Sequence, residues 1–120
     1  MQNRISDKIR MQHILDSISE IESYTQGASF SGFMQNSMMR FACIKQLEII
    51  GEAAARLTGQ IKQKYSKIHW REIIGLRNIL IHEYFGVDEQ IVWEIIQNDL
   101  PEFKKELEVV INEIGESSEK

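Results

Sequence analysis

The sequence predicts an all-α fold, an up-and-down bundle of four to five helices, and three observations point to it. One proline and seven glycines among 120 residues leave little to interrupt a helix. Apolar residues recur at i, i+3, i+4 and i+7 through most of the chain. No run of useful length alternates with the two-residue period of a strand, and there is no internal repeat. By length this is one domain, expected over residues 1–114, with a polar tail over 115–120 that frays from Gly115. A chain of this size buries roughly two-thirds of its unfolded surface, so it needs no staples.

The elements follow in order. Ser6 reads as the N-cap of a first helix whose Met11, Ile14, Leu15, Ile18 and Ile21 form its inward stripe. Two glycines and two serines make Thr25–Gly32 a loop. A long second helix is expected from Phe33 to Leu57. Its charges Lys45, Glu48, Glu52 and Arg56 share one stripe, and the rest is so apolar or small that burial on several sides is expected. Gly51, Ala53, Ala54 and Ala55 would let another helix approach closely. Thr58–His69 predicts a short helix or turn and then a loop. The next helix spans Trp70–Glu83, with Gly86 marking its exit. Asp88 caps a further helix with Ile91, Val92, Ile95 and Ile96 inward. Pro101 suits the first turn of the last, where Phe103, Leu107, Val110, Ile111 and Ile114 repeat at helical spacing.

Composition narrows the function classes. A net charge of −4 and a pI near 5.4 argue against a broad basic surface, but leave room for a local cationic pocket. The lone Cys43, among apolar neighbours, reads as core and points to a reducing cytoplasm. The N-terminus lacks the apolar stretch of a signal peptide, and no run reaches the roughly 18 apolar residues of a membrane span. His13, His69 and His82 have no ligand spacing, and neither HExxH nor CxxC occurs, so no metal and no cofactor is expected. Met34, Met38, Met39 and Phe41 read as core or as an interaction surface.

The segment from Gly75 to Gly86 carries the chemistry. At about 100° per residue, Trp70, Ile73, Ile74, Leu76, Leu80, Ile81, Tyr84 and Phe85 share one apolar arc, with Arg77 near its middle. A guanidinium buried there without a partner costs several kcal/mol. Arg71, Gly75, Asn78 and His82 line a separate stripe. One reading is structural: Arg77 in a buried ion pair, with Glu48 or Glu52 as candidate partners, His82 at a helix end and Tyr84 in the core. The other is a phosphate site, with Arg77 gripping a phosphodiester and His82 moving protons. Along one helix, Arg77 and His82 stand about 7.5 Å and roughly 140° apart, so they diverge. A two-fold dimer would bring both pairs to one cleft.

Arg77-Asn78-Ile79-Leu80-Ile81-His82 resembles the R-(polar)-x3-H signature of HEPN domains, which are helical bundles of prokaryotic defence and toxin systems. With Glu83 and Tyr84 it is similar to the R-x4-H-x-Y form of HepT toxins, partners of minimal nucleotidyltransferase (MNT) antitoxins. Leu47-Glu48-Ile49-Ile50-Gly51-Glu52-Ala53-Ala54, His69-Trp70, Ile74–Asn78, Val92-Trp93 and Asp99-Leu100-Pro101 follow in the family's order, so the likeness covers residues 5–114. Where the family often has a proline before the histidine–tryptophan pair, this chain has Tyr65-Ser66-Lys67-Ile68.

The resemblance implies the toxin of a type VII-like HepT/MNT toxin–antitoxin pair. It implies a HEPN-like homodimer and a metal-independent endoribonuclease acting on RNA, tRNA or mRNA, through a composite site at the dimer interface. It assigns Arg77 and His82 to catalysis and Asn78 to orienting the histidine or the phosphate. It makes Tyr84 a site-lining residue to which the nucleotidyltransferase adds AMP, silencing the toxin. The alternative is a non-catalytic helical dimer that binds a nucleotide or a partner protein.

Overall fold

The computed structural model describes residues 2–78 and 89–118, with side chains over 6–78 and 89–115. Every element among these residues is helical and none is a strand, as the periodicity predicts. Helix α1 spans Gln2–Thr25 and buries Met11, Ile14, Ile18 and Ile21 completely. It starts four residues before the expected cap at Ser6, because Gln2–Ile5 contains no residue that stops a helix from propagating upstream. Gly27, at φ +75, turns the chain out of α1, the left-handed conformation for which glycine is suited.

The expected long second helix is two. Helix α2 (Phe30–Gln35) opens inside the stretch read as a loop, with Ser29 Oγ accepting from the Gly32 amide at 3.0 Å. Asn36 then breaks the helix, and its side chain accepts from the Met39 amide at 2.9 Å to start α3 (Ser37–Ala55). Arg40 Nη1 reaches back across the break to the Met34 carbonyl and to the Phe33 carbonyl, which also accepts from the Asn36 amide.

Helix α3 buries one face, Cys43, Ile44, Leu47, Ile50, Gly51 and Ala54, rather than several. Its other face, with Met38, Phe41, Lys45, Ile49, Glu52 and Arg56, is exposed, so the methionine–phenylalanine cluster is largely surface. Burial pushes the Cys43 thiol up to about 11, which keeps it protonated and inert, as a core residue should be. The short helix α4 (Gly59–Lys64) is capped by Thr58.

Helix α5 (Trp70–Gly75) tightens into a 3₁₀ turn over Leu76–Asn78. Trp70 anchors its start by donating Nε1 to the Tyr65 carbonyl at 3.1 Å and meeting the Phe103 ring edge-on. The rest of the expected Trp70–Glu83 helix, Gly86 and the Asp88 cap lie outside the described residues. Helix α6 (Glu89–Glu94) passes through a π turn (Ile95–Asp99) straight into α7 (Leu100–Ser118). Pro101 has no amide to donate, and the π turn widens the helix just before it. Val92 and Ile96 point inward, but Ile91 is exposed, contrary to the expected inward set. Phe103, Leu107, Val110 and Ile114 are buried as predicted, with Ile111 partly so.

Cross-links fix the packing directions. The start of α1 meets the end of α3 through Arg10 Nη1 on the Arg56 carbonyl at 3.2 Å. The end of α1 meets the start of α7 through Lys104 and Glu22 at 3.1 Å. Helix α1 therefore runs antiparallel to both, the up-and-down arrangement expected of such a bundle. Asp7, buried on α1, adds a tie that the sequence reading missed. Its carboxylate accepts from the Thr58 amide at 2.9 Å and from the Thr58 hydroxyl at 2.6 Å.

Candidate active site

Gly51 is where the site is built. It is buried on α3, and a Cβ placed there would sit 2.3 Å from the Arg77 backbone nitrogen and 3.0 Å from its Cα. Only glycine lets the 3₁₀ turn lie this close to α3. The small-residue signal holds at Gly51, and the backbone it admits is that of Arg77 itself.

Arg77 is not in a buried arc. Its side chain is 43% exposed and faces Glu52 at 3.9 Å, a distance at the edge of an ion pair. The ideal helical count fails because the chain tightens at Leu76. Each residue of a 3₁₀ turn rotates about 20° further than in an α-helix, and Arg77 lies exposed on that turn while Trp70, Ile73 and Leu76 are buried. Of the two glutamates considered as its partner, Glu52 faces it, while Glu48 pairs with Lys45 at 3.0 Å. Asn78 is exposed on the same turn, and Arg71 and Gly75 of the predicted stripe are exposed on α5. His82 and Tyr84 lie outside the described residues, so the site is described from its arginine side.

Arg77 stands at the edge of an open cleft of about 740 Å³ between α1 and the outer face of α3. Four cations line it, Arg10, Lys45, Arg56 and Arg77, against two carboxylates, Glu48 and Glu52. The α3 charge stripe that was legible in the sequence forms its floor. Arg10 and His13, from α1, were missed as site residues. Ser6, Ile9, Arg10 and His13 do recur at helical spacing along the flank of the buried stripe, a local signal that leaves their partner on α3 unnamed. Chemically, the cleft offers an exposed fork of N–H donors in a net positive recess, which suits a phosphodiester.

The described residues include no group of three or more His, Cys, Asp or Glu side chains placed to hold a metal ion. No helix among them is long and apolar enough to cross a membrane.

Comparison with known proteins agrees with the resemblance read from the motifs. The family described as "Ribonuclease HepT-like" matches residues 14–110. "Putative RNase MJ1380" of Methanocaldococcus jannaschii is 41% identical over 103 residues, which cover 86% of this chain and 94% of that protein. "Probable ribonuclease HepT" of Thermococcus cleftensis is 37% identical over 103 residues, again 86% of this chain and 94% of the relative. "Gamma-glutamylcyclotransferase and putative RNase MJ0434", also of M. jannaschii, is 38% identical over 110 residues. There the match takes in 92% of this chain and 50% of that longer protein. No solved structure matches the chain.

Proposed function

The chain belongs to the HepT-like ribonuclease family, and from that premise we propose that it is an endoribonuclease toxin cleaving RNA without a metal. The observation that carries the reading is Arg77, set against Gly51 with its guanidinium open to a cationic cleft.

In this mechanism the RNA's own 2′-hydroxyl attacks the adjacent phosphorus. The O2′–P bond forms as the P–O5′ bond breaks, leaving a 2′,3′-cyclic phosphate and a 5′-hydroxyl. His82 takes the 2′ proton or supplies the one that O5′ needs, a role typically worth about 10²–10⁴-fold. Arg77 stabilises the charge that builds on the phosphoryl oxygens. Asn78, exposed on the same turn, orients the phosphate or the imidazole. Because the nucleophile comes from the substrate, no metal-bound water is required. On an ideal helix the Arg77 and His82 positions would diverge, so the working enzyme is a homodimer whose two copies complete one cleft.

Control falls to Tyr84, two residues beyond His82. An MNT-type nucleotidyltransferase would attach AMP there, placing a phosphodiester anion where the RNA phosphate must bind. Like-charge repulsion then excludes substrate. Co-expression with such an enzyme should add AMP mass to Tyr84-containing peptides, and an unchanged mass shift in Tyr84→Phe would refute the assignment.

The enzymatic reading is tested by incubating the purified protein with total RNA and tRNA in excess EDTA. Cleavage that disappears in His82→Ala supports it. Intact RNA throughout, together with nucleotide binding by calorimetry, would favour the non-catalytic binding dimer instead.

A further inference from the structure

We propose that Arg10 and Arg56 form a second phosphate-holding subsite on the α1–α3 wall of the cleft, gripping the RNA backbone beside the phosphate bound at Arg77. The proposal rests on the RNA-cleaving reading of the same cleft.

The cations of the cleft fall into two kinds. Lys45 is held by Glu48 at 3.0 Å, and Arg77 faces Glu52. Arg10 and Arg56 have no carboxylate within ion-pair distance among the described residues. They are nevertheless brought together, because Arg10 Nη1 crosses from α1 to donate to the Arg56 backbone carbonyl at the end of α3. That bond uses one of the five guanidinium donors of Arg10 and leaves the rest of its fork free. Two cations without a carboxylate partner on one cleft leave a local positive excess that an anion would neutralise. A phosphodiester matches both the charge and the planar donor geometry. General basicity does not explain the pair, since the whole chain carries −4. A single strand with one phosphate at Arg77 would lay a neighbouring phosphate along the wall.

The test uses the full-length His82→Ala protein, which spares the RNA, and a labelled single-stranded oligoribonucleotide titrated across a salt series. Arg10→Gln and Arg56→Gln should each weaken binding several-fold. Each should also make the slope of log K against log[salt] shallower by about 0.7, the share of one single-strand phosphate. Lys105→Gln, which neutralises a cation outside the cleft, should leave the slope unchanged. Arg10→Lys keeps the charge but loses the fork, and should retain the slope while losing affinity.

Binding that persists with the parental slope in both glutamine variants would overturn the subsite and leave the ribonuclease reading standing. Absence of RNA cleavage by the unmodified protein, with the slopes still altered, would overturn the ribonuclease reading and support a polyanion subsite. No RNA binding at all would overturn both.

Discussion

Two recesses share the short segment from His69 to Arg77 and carry opposite charge. The α1–α3 cleft takes Arg77 from it and sets four cations against two carboxylates. The other recess, of about 310 Å³ between α5 and the α6–α7 junction, takes His69, Glu72 and Leu76 and adds Asp99, Glu102 and Glu106. A chain of net charge −4 has sorted its charges, giving one recess a positive excess and the other four carboxylates. A polyanion such as the proposed RNA substrate would be drawn to one side of the segment and repelled from the other, so the field would set orientation as well as attraction. Net charge and pI, read alone, conceal this.

Breaking the cationic side should have the largest effect. Arg77→Ala should lower RNA cleavage by about 10²–10³-fold, the usual cost of losing one transition-state donor. Thermal denaturation should change little, because the side chain is well exposed and its one carboxylate is distant. A large loss of stability instead would mark Arg77 as a structural arginine.

Gly51→Ala moves the same guanidinium from behind. The new methyl meets backbone, which cannot swing aside as a side chain can, so a destabilisation of about 1–3 kcal/mol is expected in urea unfolding. Cleavage should fall as Arg77 is pushed out of place. Full activity at native stability would show that the turn is free to shift.

Glu52→Gln sharpens the contrast rather than breaking it, by removing a carboxylate beside Arg77. Oligonucleotide binding by the His82→Ala protein should tighten about two- to fivefold at low salt, the scale of an exposed pair, and the gain should fade at high salt.

The smallest effect belongs to the acidic recess. Burial first, and then the neighbouring Glu102, raise the Glu106 carboxyl above its ordinary range, while His69 opposes them. The folded state therefore disfavours the charged form. That contribution to stability is full below the ordinary carboxylate range and is lost as pH rises through the raised value. Glu106→Gln should raise the melting temperature slightly near pH 7 and flatten its rise on acidification, with RNA cleavage unaffected.

Much of this arrangement was legible from periodicity. The inward faces of α1 and α7 follow their stripes because an unbroken α-helix keeps one rotation per residue. Gly51 was legible as a point of close approach, although the sequence could not say which backbone would arrive there. The misreadings arise where the rotation changes or a polar side chain competes for the backbone. Asn36 lies in a pattern that reads as one helix, yet its side chain can cap a new one, and that local bond wins. Arg77 lies exposed at the cleft on the 3₁₀ turn that starts at Leu76, and no residue type there announces that turn. Asp7 and Arg10 act through partners about fifty positions away, which no local pattern reveals.

Asp7 has a practical consequence. One buried carboxylate clasps the beginning of the chain to Thr58, 51 positions on, and Thr58 in turn caps α4. The turn of α1 that carries Asp7 is therefore a fastening. A shortened protein beginning after Asp7 would unlatch α4 and loosen the wall on which Arg10 meets Arg56. Losing Asp7 would disturb the cleft while leaving every residue around Arg77 unchanged.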